Sequence, residues 1–101
     1  MTPMNTQKLM NLIGLAQAAS QLTAGEPQVL AAIRAKEAKL VILAADAGAA
    51  TTKRITDKSA FYQIPLTQAL TSMQIAQALG KPRKILAVTQ AGFARSMEAL
   101  M

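Results

Sequence analysis

The side chains able to do chemistry are few. Cysteine and histidine are both absent, and the five carboxylates are Glu26, Glu37, Asp46, Asp57 and Glu98. Zinc sites built on Cys or His are therefore out of reach, as are Ser-His and Cys-His nucleophile pairs. General acid–base work would fall to these carboxylates, to lysines or to Tyr62. A small enzyme acting on nucleotides would need a pair such as Asp46 with Lys53. No G-x-G-x-x-G, G-x-x-x-x-G-K-[ST] or G-x-S-x-G occurs, so nothing cradles phosphate in the P-loop manner. The inventory predicts a protein without catalytic residues, metal or small-molecule cofactor.

Binding chemistry is better represented. Eleven Lys and Arg give a net charge of +6, which favours a polyanion: nucleic acid or an anionic membrane surface. The densest cationic cluster is Lys81-Pro82-Arg83-Lys84. A proline-stiffened loop can contact phosphates without losing much conformational freedom, although the same residues also suit a solvated loop. Lys53, Arg54 and Lys58 read as a solvated helix face, since Lys53 and Arg54 point about 100° apart. Ala24-Gly25-Glu26-Pro27-Gln28 joins a strand to a helix start, where free N–H groups favour an anionic or acceptor-rich partner. Gln28 can offer a donor and an acceptor to a base edge. Only Phe61, Tyr62 and Phe93 are aromatic, which argues against recognition through an aromatic platform.

The elements that must position these groups follow from periodicity. Thr2-Pro3 is a helix start, and Leu9, Leu12, Ile13, Ala16 and Ala19 form an apolar stripe over residues 4–20. Lys8, the run Leu9 to Leu15 and Ala16-Gln17-Ala18 resemble a secretory leader, but Asn11 interrupts the run, so an amphipathic helix of a cytoplasmic protein is expected. Gly14 within it predicts close approach by another backbone. Residues 21–26 read as a short extended segment, and a second helix runs from Pro27 to about Glu37. Lys39 to Asp46 is a continuous apolar run, as in a strand covered on both faces. Asp46 reads best as a turn former capping the next helix, over residues 50–62, although ligands also favour the ends of such strands. Ile64-Pro65-Leu66 is a short strand. Thr71 to Gln74 is a capping box for a helix that Gly80 stops. Lys84 to Thr89 is a second buried strand, and Ala91 to Leu100 is a closing helix. Helices alternating with strands predict one α/β domain over residues 1–101, with the sheet sandwiched between helix layers. No stretch approaches the ~20 apolar residues needed to span a bilayer.

In order, these features resemble a known family. Leu12-Ile13-Gly14-Leu15-Ala16-Gln17-Ala18, Gly25-Glu26 and Ala38 to Asp46 match the L-seven-Ae/L-thirty-e ribosomal proteins. So do Thr52-Lys53, Thr56-Asp57-Lys58, Tyr62-x-Ile64-Pro65, Leu79-Gly80-Lys81 and Ala87-Val88-Thr89-x-x-Gly92-Phe93-Ala94. The pattern is nearest the bacterial YlxQ-type branch. The resemblance implies a three-layer α/β/α sandwich with a mixed four-stranded sheet. It also implies binding to RNA kink-turns, sharp bends flanked by sheared G·A pairs. In the family a G-x-N-E-x-x-K motif opens the second helix and enters the RNA major groove, while the loop before the last strand covers an extruded nucleotide. Here the motif falls on Gly25 to Ala31. Gln28 stands in place of Glu and keeps an acceptor, whereas Pro27 replaces Asn and Ala31 replaces Lys. Each missing polar group at a base edge costs about 1–3 kcal/mol of discrimination.

The expected RNA-binding residues are thus Gly25, Glu26, Gln28, Lys81, Arg83 and Lys84, and the expected partner is a structured, kink-turn-like RNA, with ribosome association. The alternative is a protein-interaction module of the same fold, its RNA specificity weakened by Pro27 and Ala31.

Overall fold

The computed structural model describes residues 3–101, so the expected cap at Thr2 lies outside the described residues. The elements run α1 (Pro3–Ala18), β1 (Leu22–Ala24), α2 (Glu26–Arg34), β2 (Leu40–Leu43), α3 (Ala49–Phe61), β3 (Leu66–Thr67), α4 (Ser72–Leu79), β4 (Ile85–Val88) and α5 (Ala91–Glu98). The sheet order is β1-β4-β2-β3. Central β4 runs antiparallel to β1 and β2, and β3 lies parallel to β2. This is the mixed four-stranded α/β/α sandwich that the resemblance implies.

The two central strands explain the two layers. Alternate residues of a strand point to opposite faces. Leu40, Ile42, Leu86 and Val88 pack with Leu9, Ile13, Ile75 and Met97 of α1, α4 and α5. Val41, Leu43, Ile85 and Ala87 pack with Val29, Ile33 and Ile55 of α2 and α3. Every residue of β2 and β4 is buried. A sheet covered on both faces has no polar-out positions, hence the continuous apolar runs.

Boundaries shift where residues other than glycine turn the chain. The first helix stops at Ala18, with Ser20 at φ 58°, and the second ends at Arg34 rather than Glu37, with Lys36 at φ 60°. The third strand moves from Ile64–Leu66 to Leu66–Thr67. Pro65 has no N–H and contributes only its carbonyl, which accepts from the Val41 N–H at 2.9 Å. The Thr71–Gln74 capping box and the left-handed stop at Gly80 (φ 77°) form as expected. Gly14 does face another backbone, but loosely: a Cβ there would lie 3.8 Å from the Ala78 carbonyl oxygen, an ordinary contact.

Candidate functional site

Strand directions decide what gathers at each end of the sheet. Ala24 pairs with Leu86, Leu43 with Ile85 and Ile42 with Thr67, so the carboxyl ends of β1, β2 and β3 lie together beside the start of β4. Helices α2, α3 and α4 follow those three strands and open at this end. A helix N-terminus presents free N–H groups and about half a positive charge. No side chain caps α2 at Gly25 or α3 at Gly48, so both openings remain available to an anion. Only α4 is closed, by its capping box and by Asp46.

Gly25 holds the centre. Its φ of 97° and ψ of 146° suit glycine alone. Its N–H donates to the Ile85 carbonyl at 3.1 Å, fixing α2 against β4, and its carbonyl accepts from the Val29 N–H at 2.9 Å to begin the helix. The space above its α-carbon is filled by neighbours: a Cβ would meet Gln28 Oε1 at 2.8 Å and Arg83 Nε at 3.9 Å. Gly25, Gln28 and Arg83 are therefore one cluster, assembled from the α2 start and the loop before β4.

That loop is fastened to the sheet, since the Lys84 carbonyl accepts from the Ala44 N–H at 2.8 Å. Arg83 Nη1 donates to the Pro82 carbonyl at 2.8 Å, stiffening its side chain. Pro82, Arg83 and Lys84 face Ser72, Met73 and Ala76 across an open groove of about 380 Å³. Lys81 follows Gly80 and is exposed, and no hydrogen bond or ion pair among the described residues ties it to the other five expected site residues.

The two acids at this end, Glu26 and Asp46, are already engaged. Glu26 pairs with Arg54 of α3, whose guanidinium holds the carboxyl below the usual carboxylate range. Asp46 caps α4 rather than the next helix in sequence: its oxygens accept from the Ser72 N–H at 2.7 Å and the Ser72 hydroxyl at 2.6 Å. The hydroxyl bond chiefly, then the N–H bond, lowers its pKa, with Lys84 adding a smaller attraction. Lys53 pairs with Asp57 at 2.9 Å, so Asp46 and Lys53 do not form an acid–base pair. Among the described residues no group of three potential ligands could hold a metal ion, and no helix is long and apolar enough to cross a membrane. Sequence reasoning missed Arg54 and Met73 as neighbours of the site. The Glu26–Arg54 pair spans 28 residues and leaves no local signal.

Comparison with known proteins places the chain in a family. Residues 7–98 match the model of the ribosomal protein L7Ae/L30e/S12e/Gadd45 family. The chain belongs to this family. Within it, the chain is 42% identical to "RNA-binding protein YlxQ" of Enterococcus faecium over 97 residues, covering 96% of this chain and 94% of that one. It is 37% identical over 91 residues to the protein of the same name from Bacillus subtilis (strain 168), covering 89% and 91%. The solved structure of a protein of unknown function from Bacillus halodurans superposes with a TM-score of 0.88 at 41% identity, covering 92% of this chain and 95% of that one. The Giardia lamblia 15.5kD RNA binding protein superposes with a TM-score of 0.81 at 18% identity, covering 100% and 93%, and shares the fold.

Proposed function

We propose that this chain is a non-catalytic, cytoplasmic bacterial protein that binds structured, kink-turn-like RNA at the carboxyl end of its sheet, in association with the ribosome. The observation that carries this reading is the cluster of Gly25, Gln28 and Arg83 at an uncapped helix start. Gln28 supplies a base-edge donor and acceptor, Arg83 and Lys84 supply charge for phosphates, and the α2 opening adds N–H donors. Two close family relatives carry RNA binding in their names. Glu26 acts through Arg54, orienting it, rather than as a free acceptor. Lys81 contributes a long-range attraction to the backbone.

A second reading rests on Ala31. It lines a shallow groove with Thr23, Gln28, Ala32, Ala35, Glu37 and Thr89, where small side chains would admit a protein partner.

A gel-shift titration at two salt concentrations separates the two. A kink-turn RNA is compared with the same RNA after its G·A pairs are converted to Watson–Crick pairs. The proposal expects the native RNA to bind about tenfold tighter or more, with Gln28→Ala removing most of that preference. Equal, weak binding of both RNAs with a steep loss at high salt overturns shape recognition and leaves the groove at Ala31 as the reading to pursue.

A further inference from the structure

One aromatic ring stays outside both cores. Phe93 and Tyr62 pack against the buried clusters, whereas Phe61, the last residue of α3, is 78% exposed. A lone surface phenylalanine is ordinary, but this one sits at a fixed helix stop with a second ring beside it. The Tyr62 ring meets it edge-on at 5.0 Å and 73°. The backbone beneath is locked by three bonds: Tyr62 N–H to the Lys58 carbonyl at 3.1 Å, Gln63 N–H to Ala60 at 3.1 Å and Ile64 N–H to Ser59 at 2.8 Å. Gln63 is left-handed at φ 58°, completing a fixed helix stop.

The charges beside the ring are mixed, but the acid is already paired: Asp57, four residues before Phe61, meets Lys53 at 2.9 Å. Lys58 and Arg54 precede Phe61 by three and seven residues, the spacing that places side chains on one side of a helix. Lys58 makes no ion pair among the described residues. Arg54, through Glu26, joins this line to the opening of α2. Seven residues of helix span about 10 Å, so a strand leaving the α2 start along α3 meets cations before it reaches the ring.

We propose that Phe61, with Lys58 and Arg54, forms a second RNA contact, on which an unpaired nucleotide flanking the structured element stacks. This rests on the RNA-binding reading above. The backbone under the ring is already ordered, and any base offers a π-face, so the contact selects an unpaired base rather than a sequence. The low aromatic content argues against a stacking platform, and one ring makes no platform. It holds one base.

The test uses two RNAs, a blunt kink-turn duplex and the same duplex carrying a short unpaired flank with 2-aminopurine. The full chain is compared with Phe61→Ala and with Phe61→Leu, which keeps apolar bulk but has no ring face. The expected result is that the flank tightens binding to the native chain about five- to tenfold and quenches 2-aminopurine fluorescence. Both variants lose the gain and the quenching while binding blunt RNA as the native chain does. If the flank adds nothing, or if either variant keeps its gain, the stacking contact is overturned while RNA binding stands. If neither RNA binds, the functional proposal falls, and this inference with it.

Discussion

The two ends of the sheet carry similar charge but treat it in opposite ways. At the amino end, α1, α2 and α3 finish; Arg34 lies in the last turn of α2 and Lys58 in the last turn of α3, and Lys36 and Lys39 follow α2 in the chain. Cations there complement the helix dipole and stabilise the fold. The one helix that opens there, α5, is capped by Gln90, whose Oε1 accepts from the Phe93 N–H at 2.7 Å. At the carboxyl end, Arg83 and Lys84 sit beside helix openings, like charge against like dipole, and two of the three openings have no side-chain cap. That arrangement opposes folding and favours a bound anion. Equal charge does not mean equal purpose: a cation at a helix end supports the fold, one at a helix start favours a ligand, and Lys58 in the last turn of α3, with no ion pair among the described residues, is open to both.

The largest expected effect comes from the backbone at the carboxyl end. Gly25→Ala forces an L-residue into a glycine-only conformation, at a cost of about 1–3 kcal/mol. It also drives Gln28 Oε1 from its position 2.8 Å from the new Cβ. Thermal unfolding is expected to shift downward, and the preference for G·A-containing RNA to fall as Gln28 moves. A variant that keeps both its stability and its RNA preference would remove Gly25 from the site.

Charge deletion sharpens the contrast. Arg83→Ala with Lys84→Ala is expected to weaken RNA binding about tenfold and to lower the salt slope by about one for each phosphate left without its cation. Its unfolding temperature should hold or rise, because like charge is removed from beside the helix openings. Lys36→Ala with Lys39→Ala removes the same formal charge from the other end. It should leave the salt slope nearly unchanged and lower stability slightly. Equal losses of RNA affinity from both pairs would mean that only net charge matters.

The difference between the ends is only partly legible in the sequence. Apolar runs give β2 and β4, Thr71 and Gln74 give the capped start of α4, and Gly25 with Gln28 marks the α2 opening. The three turns at the amino end use Ser20, Lys36 and Gln63, all at positive φ without glycine, so local chemistry does not announce them. The meeting of Arg83 with Gly25 depends on β4 pairing beside β1, and Asp46 with Ser72 spans 26 residues. Such contacts follow from topology, which a single sequence signals mainly through family resemblance.

A second glycine serves as the control for the first. Gly14 lies inside α1 at ordinary helical geometry, and its added Cβ finds only an ordinary contact at 3.8 Å. Gly14→Ala is expected to stabilise the fold by about 0.5–1 kcal/mol in chemical denaturation. RNA binding should not change. Destabilisation instead would mean that α1 and α4 cannot part by even a few tenths of an ångström.

The smallest effect concerns the one helix opening at the carboxyl end that is closed. Asp46 has its pKa lowered by the Ser72 hydroxyl and N–H, with help from Lys84. An acid with a depressed folded pKa adds stability that is present above its unfolded value, about pH 4, and is lost as pH falls through the folded value. The native chain should therefore unfold at a slightly higher temperature than Asp46→Asn at pH 7, and the gap should close below about pH 4. Because Asp46 is exposed and also attracts Lys84, its removal acts on binding in the opposite direction. It frees Lys84 and leaves α4 with only its capping box, so RNA affinity at neutral pH should rise modestly as stability falls. If stability and affinity fall together, Asp46 orders the Pro82–Lys84 loop for RNA, and the carboxyl end needs its own acid as much as its cations.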